Sequence, residues 1–172
     1  MRLVLQRVKR ASVTVDSSTI SSIDRGIVAL VGIHQNDTED DFQYCAKKLC
    51  ASKLWNNEAG KPWKQSVVHM GFEILCVSQF TLYGSVANKK HCPDYKLSMK
   101  NASARVAYER FKEIVVEIHN PEKVKDGEFA AMMDVELVND GPVTIIIDSP
   151  EKDAPPNPPP TQVDAAFGSE IK

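Results

Sequence analysis

The sequence is poor in cysteine and has no long hydrophobic run. Its four cysteines, at positions 45, 50, 76 and 92, form no C-x-x-C pair, so neither a zinc cluster nor a disulfide framework is expected. The longest apolar run, within residues 26–33, is far shorter than the roughly 20 residues that a membrane helix needs. The first ten residues carry several basic side chains and no signal-peptide stretch. We therefore expect a cytoplasmic protein without a membrane segment.

The sequence also lacks the common catalytic signatures. It contains no G-x-S-x-G, no Walker loop, no G-x-G-x-x-G and no H-E-x-x-H, and its four histidines show no metal-binding spacing. These absences weigh against serine-hydrolase, nucleotide-triphosphatase, Rossmann and zinc-protease functions. We expect no metal and no cofactor.

Charge is balanced, because 21 Lys and Arg face 23 Asp and Glu, for a net charge of −2. Such a chain has no global field to attract a polyanion, so any contact with nucleic acid must be local. The length of 172 residues and a 42% hydrophobic fraction are typical of one globular domain.

Proline is concentrated at one end of the chain. Most of the ten prolines lie within residues 150–160. We predict a domain over residues 1–149 and a proline-rich, disordered tail over residues 150–172; a ligand for a proline-recognition domain is the alternative for the tail.

The hydrophobic pattern predicts an α+β fold: a compact single domain with a curved, mostly antiparallel or mixed sheet and two main helices. A bend or bulge is expected near Ala11, where the alternation of the first strand is interrupted. The glycine-bounded second strand is expected to be central, and Asn36 to Thr38 offer helix N-caps. The predicted order is strand 2–16, strand 26–33, a helix from Thr38 to about Leu54, strand 72–82, helix 102–118, and strands 131–138 and 143–148.

Two segments carry unusual polar or backbone features. Ser78 to Leu82 place polar residues at the end of an apolar strand, where they either bond their own backbone in a turn or face a site. Asn139 to Thr144 contain Gly141 and Pro142, which form either an ordinary hairpin turn or a segment whose free carbonyls bind a ligand.

The motifs S-Q-F-T-L at 78–82 and N-x-G-P-V-T at 139–144, with the opening M-R-L-V-L-Q-R-V-K-R-A-S-V-T-V, resemble D-aminoacyl-tRNA deacylases. The resemblance extends from residue 1 to about residue 149. It implies a barrel-like α+β homodimer with active sites at the subunit interface and an aminoacyl-tRNA substrate. The implied reaction is hydrolysis of the D-aminoacyl ester, with glycyl-tRNA accepted as well.

The same resemblance assigns roles to individual residues. Ser78, Gln79, Phe80 and Thr81 would line the pocket for the terminal adenosine and the ester, with the N–H groups of Phe80 and Thr81 stabilising the oxyanion. Proton transfer would fall to water and the terminal 2′-hydroxyl; the alternative is Thr81 as nucleophile, although no residue of the motif is an evident base for it.

The resemblance further implies a chiral filter made by a cis Gly141–Pro142 unit, with its neighbours Asn139 and Val143, contributed by the partner subunit. Arg7 would fix this filter; its alternative is a surface cation on an edge strand.

One segment departs from the family pattern. Residues 85–93 replace the usual glycine-containing basic loop. Lys89 and Lys90 are therefore candidates for contact with tRNA phosphates or simply solvated side chains.

Two other functions remain open at this point. One is a non-catalytic module that binds tRNA or DNA on the same scaffold, and the other is a paralogue that edits L-threonyl-tRNA. Both motifs are intact, and this favours the D-aminoacyl-tRNA deacylase.

Overall fold

A computed structural model describes residues 1–87 and 89–150 of the chain. The tail predicted over residues 150–172 therefore lies, apart from Pro150, outside the described residues. The described part is one mixed sheet with two helices and a small two-stranded sheet. The strands are β1 (Arg2–Val15), β2 (Ser18–Ile23), β3 (Gly26–Gly32), β4 (Lys53–Trp55), β5 (Gln65–Ser66), β6 (Glu73–Ser78), β7 (Val124–Asp126) and β8 (Asp134–Asp148). The helices are α1 (Glu39–Ala51) and α2 (Asn101–Ile118).

The long strand β1 organises the sheet. Its first half lies between β3 and β8, and its second half lies between β2 and β8, all antiparallel. Its buried residues skip from Leu5 to Val8 and from Val8 to Ala11, because the register with β8 shifts at both places. A bend or bulge was predicted near Ala11; the register with β8 shifts on its N-terminal side, between Gln6 and Arg10, and the register with β2 shifts between Val13 and Thr14.

The apolar strand β3 is central, as predicted. It pairs antiparallel with β1 and parallel with β6, and β6 pairs parallel with β7. Gly26 is required at its start, since a Cβ there would lie 1.9 Å from the carbonyl oxygen of Glu73. Strand β2, at one end of the strand order, contacts β6 and β7 at the other end, so the sheet is curved into a nearly closed barrel.

Both helices pack on one hydrophobic core. Helix α1 begins with a capping box, in which the N–H of Thr38 donates to Asp41 Oδ2 at 2.8 Å. Cys45 and Cys50 are fully buried there, as their helical positions predict. Within the described ranges, no helix is both long and apolar enough to cross a membrane.

Three predicted boundaries are wrong. Helix α1 ends at Ala51, and the residues up to Trp55 form β4 instead of a last helical turn. Strand β6 ends at Ser78, and a 3₁₀ helix (Phe80–Tyr83) replaces the predicted strand end. The two predicted closing strands are one strand, β8, because both of its halves pair with β1.

Candidate active site

A cavity of about 780 Å³ opens beside the C-terminal ends of the parallel strands β3 and β6. Side chains at the ends of neighbouring parallel strands converge, which makes such an edge a common ligand site. The cavity is lined by residues 31, 33, 77–81, 95, 98–101, 104, 129–133 and 135. All four residues predicted from the first motif, Ser78, Gln79, Phe80 and Thr81, are among them.

The 3₁₀ helix that carries this motif is fixed by its backbone. Ser78 is the last residue of β6, and the N–H of Gln79 donates to the carbonyl of Val31 at 2.8 Å. A Cβ at Gly32 would lie 2.9 Å from Leu82 Cβ, so the glycine lets the 3₁₀ helix approach β3. The sequence placed polar residues correctly at a strand end, and the structure makes that strand end part of a cavity.

Two backbone donors are left over by the 3₁₀ helix. Its first hydrogen bond runs from the N–H of Leu82 to the carbonyl of Gln79, at 3.2 Å. The N–H groups of Phe80 and Thr81 precede that bond and are not used by the 3₁₀ helix itself. Adjacent backbone N–H groups of this kind suit a developing oxyanion.

The hydroxyl of Thr81 is paired with an amide. Gln79 Nε2 lies within hydrogen-bond distance of Thr81 Oγ1. Among the described residues that line the cavity there is no histidine, aspartate, glutamate or cysteine. The Thr81 hydroxyl therefore has no carboxylate or imidazole beside it to remove its proton.

Aromatic rings form part of the cavity. The Phe80 side chain is 58% exposed, and its ring packs edge-on against Tyr95 with centroids 4.9 Å apart. Ser98 Oγ donates to the Phe80 carbonyl at 2.8 Å and holds the backbone beneath that ring. Exposed rings held in this way offer stacking surfaces for a nucleobase.

The sequence did not reveal another side of the cavity. Residues Phe129 to Met133 line it, together with Asn101 and Ala104 of α2. The apolar composition of Ala131 to Met133 was assigned to a strand, whereas β8 begins only at Asp134. No local motif marks these residues, because their proximity to Phe80 arises from the tertiary fold.

The second motif lies elsewhere. Gln6 pairs with Thr144 and Val8 with Asn139, so one residue of β1, Arg7, faces four residues of β8. The extra residues include Gly141 and Pro142, which are exposed and joined by a cis peptide bond, as the resemblance implies.

The alternative of an ordinary hairpin turn at Gly141 and Pro142 is wrong, since strand β8 continues on both sides of them. Gly141, Pro142, Asn139 and Val143 are not lining residues of the cavity in their own chain.

Arg7 is bound rather than free at the surface. Its Nε donates to the Asp140 carbonyl at 3.1 Å and lies 3.3 Å from the Asp140 carboxylate, and its NH1 donates to the Leu54 carbonyl. The arginine side chain is only 16% exposed, so the surface-cation alternative is wrong. Arg7 therefore holds the start of the extra segment in β8.

The remaining predicted residues, Asn139, Lys89 and Lys90, do not line the cavity. Asn139 Oδ1 is buried and has no hydrogen-bond partner among the residues that the structure describes. Lys89 and Lys90 are exposed and are not lining residues of the cavity.

The described part of the cavity lining carries one positive charge. Lys100 is the only charged residue among the described lining residues, and its positive charge suits a phosphate-bearing ligand. The described residues contain no group of three acidic, histidine or cysteine side chains that could hold a metal ion.

Comparison with known proteins assigns this architecture. Residues 4–148 match the sequence model described as D-Tyr-tRNA(Tyr) deacylase. A D-aminoacyl-tRNA deacylase of Dictyostelium discoideum is 46% identical over 153 residues, covering 88% of this chain and all of the relative. The human D-aminoacyl-tRNA deacylase 1 is 44% identical over 87% of this chain and 71% of its own length.

Two solved structures share the fold. One, titled c-Myc DNA Unwinding Element Binding Protein, has a TM-score of 0.83 and 44% identity, covering 88% of this chain and 100% of its own. The other, titled as a probable eukaryotic D-amino acid tRNA deacylase, has a TM-score of 0.75 and 16% identity. The match covers 86% of this chain and 98% of that structure's chain. The second likeness concerns the fold alone.

Proposed function

The chain belongs to the D-Tyr-tRNA(Tyr) deacylase family, and we propose that it is a hydrolase that cleaves the ester bond of D-aminoacyl-tRNA. The observation that carries this proposal is the Ser78 to Thr81 segment, which lines the cavity with two backbone donors and no side-chain base. The family membership identifies the reaction, and the position of these residues in the cavity supports their proposed part in it.

We propose that the cavity binds the 3′ end of tRNA. The terminal adenine would stack on the exposed ring of Phe80, supported by Tyr95. The ester carbonyl oxygen would accept hydrogen bonds from the N–H groups of Phe80 and Thr81. As water adds to the carbonyl carbon, those two donors would stabilise the negative charge that forms on the oxygen.

The proton balance requires no side-chain base in this proposal. The attacking water loses one proton, and the departing 3′-oxygen of the ribose gains one. The neighbouring 2′-hydroxyl of the substrate is placed to relay that proton, with solvent completing the transfer. Free D-amino acid and tRNA with an intact 3′ end are the products.

We propose that the chiral filter of each site comes from a second copy of the chain. In one copy, Gly141 and Pro142 are exposed and do not line the cavity that Phe80 and Thr81 line. A symmetric homodimer can bring the segment of one chain to the cavity of the other. Backbone groups there would bind the α-amino group and exclude an L side chain, whereas glycine, which has no side chain, would pass.

We also propose that residues 1–149 are sufficient for activity. The match to the family covers residues 4–148, so the proline-rich residues after it lie outside the part that resembles known deacylases. A chain that ends at Ser149 should keep the deacylase rate of the full chain; a loss of more than tenfold would show that the tail takes part.

The direct test is deacylation of D-tyrosyl-tRNA beside L-tyrosyl-, glycyl- and L-threonyl-tRNA. We expect rapid release from the D-tyrosyl and glycyl substrates and none above background from the two L substrates. Preferential hydrolysis of L-threonyl-tRNA would identify the editing paralogue instead. Binding of tRNA or DNA with no hydrolysis of any substrate would identify a non-catalytic module.

A further inference from the structure

Residues 127–133, here called the wall segment, belong to no helix or strand, and residues 129–133 of this segment form one side of the cavity. The segment leaves the sheet after Asp126, the last residue of β7, and ends where β8 begins. Near its start, the N–H of Gly127 donates to the Cys76 carbonyl at 2.9 Å. Its position therefore depends on how its first residues are held.

Asp126 is held by two side chains of α2. The hydroxyl of Tyr108 donates to Asp126 Oδ1 at 2.6 Å, and the ammonium group of Lys112 donates to Oδ2. Lys112 also pairs with Glu109 at 2.9 Å and lies 5.1 Å from the centre of the Tyr108 ring. Tyr108 is 1% exposed and the Asp126 side chain is 30% exposed, so a buried hydroxyl bonds a carboxylate at the edge of the core.

The two groups that donate to Asp126, the Tyr108 hydroxyl and the Lys112 ammonium group, both have raised pKa values. Burial raises the pKa of Tyr108 well above its ordinary value, and the nearby Cys76 and Asp126 raise it further, so the hydroxyl keeps its proton. Desolvation alone would lower the pKa of Lys112, but its hydrogen bonds with Asp126 and Glu109 raise that pKa above the ordinary value. The Tyr108 hydroxyl and the Lys112 ammonium group therefore both keep the protons that they donate to Asp126 at neutral pH.

The same helix holds Phe129 inside the wall segment. The Phe129 ring lies 5.5 Å from that of Tyr108, and the guanidinium of Arg105 lies 4.8 Å over it. Arg105 also donates to the Phe129 carbonyl at 3.4 Å. Residues 105, 108 and 112 are three or four apart, so one face of α2 binds Asp126 and Phe129 together.

We propose that Asp126 is a positioning residue for the reaction, because its bonds to Tyr108 and Lys112 hold the wall segment where it binds the terminal nucleotide. The proposal rests on the proposed function and extends it to residues that lie outside the cavity lining. Asn101 and Ala104 of the same helix also line the cavity. The Asp126 contacts therefore set the wall segment relative to a second side of the cavity.

Amide hydrogen exchange tests the positioning without any substrate. Tyr108→Phe keeps the ring and removes the hydrogen bond, Asp126→Asn removes the charge, and Lys112→Met keeps the aliphatic stem. Glu113→Gln is the matched control, since Glu113 pairs with Arg110 on an exposed face of α2. We expect exchange in residues 127–133 to rise about tenfold or more in the three variants and to stay unchanged in the control.

Steady-state kinetics tests the consequence for the reaction. In the same variants we expect KM for D-tyrosyl-tRNA to rise about fivefold to tenfold, while kcat stays within about twofold. The reason is that the N–H groups of Phe80 and Thr81 are held by β3 and β6, not by Asp126. A general loss of folded protein would instead lower the active fraction and leave KM unchanged.

The proposal is overturned if exchange in the wall segment does not change, if exchange rises equally in β3 and β6, or if kcat falls while KM stays constant. Should Tyr108→Phe fail to fold, Lys112→Met decides the question, because Lys112 lies at the edge of the core. A wild-type chain that does not hydrolyse D-tyrosyl-tRNA contradicts the proposed function alone, since the exchange measurement does not depend on it.

Discussion

Thr81 has a different role in each of two possible mechanisms, as a nucleophile in one and as a backbone hydrogen-bond donor in the other. As a nucleophile it would need a base, yet its hydroxyl is paired with the Gln79 amide, and the described cavity residues include no imidazole or carboxylate. As a backbone donor it needs only its N–H, which its side chain does not determine. The geometry supports the second role.

Replacing Thr81 with alanine should therefore preserve substantial activity. We expect kcat for D-tyrosyl-tRNA to fall by less than about tenfold, whereas loss of a nucleophile costs several orders of magnitude. Single-turnover hydrolysis measures this, with Thr14→Ala as control because that threonine lies on the far part of β1. Loss of turnover with intact tRNA binding, or a trapped acyl-threonine, would establish the covalent mechanism.

Gly141 is constrained more tightly than its exposure suggests. Its φ is +122°, and a Cβ there would lie 2.8 Å from Val143 Cγ2 and 3.2 Å from Arg7 NH2. An L side chain is strained at such a φ and would also displace the arginine, at a cost of about 1–3 kcal/mol.

We expect Gly141→Ala to reduce hydrolysis of D-tyrosyl-tRNA about 100-fold by shifting the filter, while the chain stays folded. Gly71→Ala is the matched control, because Gly71 has a φ of +61° but no atom within 4 Å of its added Cβ. Equal effects of the two substitutions on activity would mean that position 141 has no special role.

Strands β1 and β8 form the element that presents the proposed filter. Between Gln6 and Val8 their register shifts, which leaves an extra segment in β8. Arg7 donates both to the Asp140 carbonyl of this segment and to the Leu54 carbonyl of β4. Asp140 is also 3.9 Å from the guanidinium of Arg25, in the turn between β2 and β3, so two arginines lie near one carboxylate. This irregularity in the pairing places Gly141 and Pro142 outside the ladder.

Arg7→Ala should loosen that segment without unfolding the sheet. We expect the preference for D- over L-tyrosyl-tRNA to fall about tenfold or more, because the segment loses both contacts of Asp140 with a largely buried cation. Arg10→Ala, an exposed position on the same strand, should leave the preference unchanged. An Arg7→Ala variant with wild-type selectivity would remove Arg7 from the account of the filter.

The elements that the sequence predicts well are those with strong local patterns. Strand β3 is apolar throughout, and α2 has a helical stripe, so both occur where they were predicted. Strand β2 was missed because its residues 18–23 are polar and serine-rich, and β7 was missed because three residues carry no periodicity. Their structure comes from pairing with distant strands.

The candidate site divides in the same way. Ser78 to Thr81 could be identified because a motif and a polar strand end coincide. Phe129 to Met133 could not, since they meet Phe80 around the cavity only through the tertiary fold. Long-range contacts of this kind leave no local signal in one sequence.

At the scale of the whole molecule, we propose that activity requires a pair of chains. In this proposal, Phe80→Ala removes the stacking surface and Gly141→Ala disturbs the filter, so each variant alone is expected to be nearly inactive. A mixed dimer would combine one intact surface with one intact filter in one of its two sites.

Mixing the two inactive variants under conditions that exchange subunits should therefore restore about a quarter of wild-type activity. Each variant subjected to the same exchange alone is the control. Activity equal to the mean of the two variants, or full activity of a sedimenting monomer, would show that each chain carries a complete site.

The most direct test of the central claim compares chirality with side-chain identity in one experiment. Hydrolysis rates for D-tyrosyl-, D-aspartyl- and L-tyrosyl-tRNA are measured side by side with the same enzyme. A backbone filter predicts that the two D substrates differ by less than about tenfold, while the L substrate is slower by about 1,000-fold or more. A D-aspartyl rate as low as the L-tyrosyl rate would contradict it, because a side-chain pocket would then determine selection.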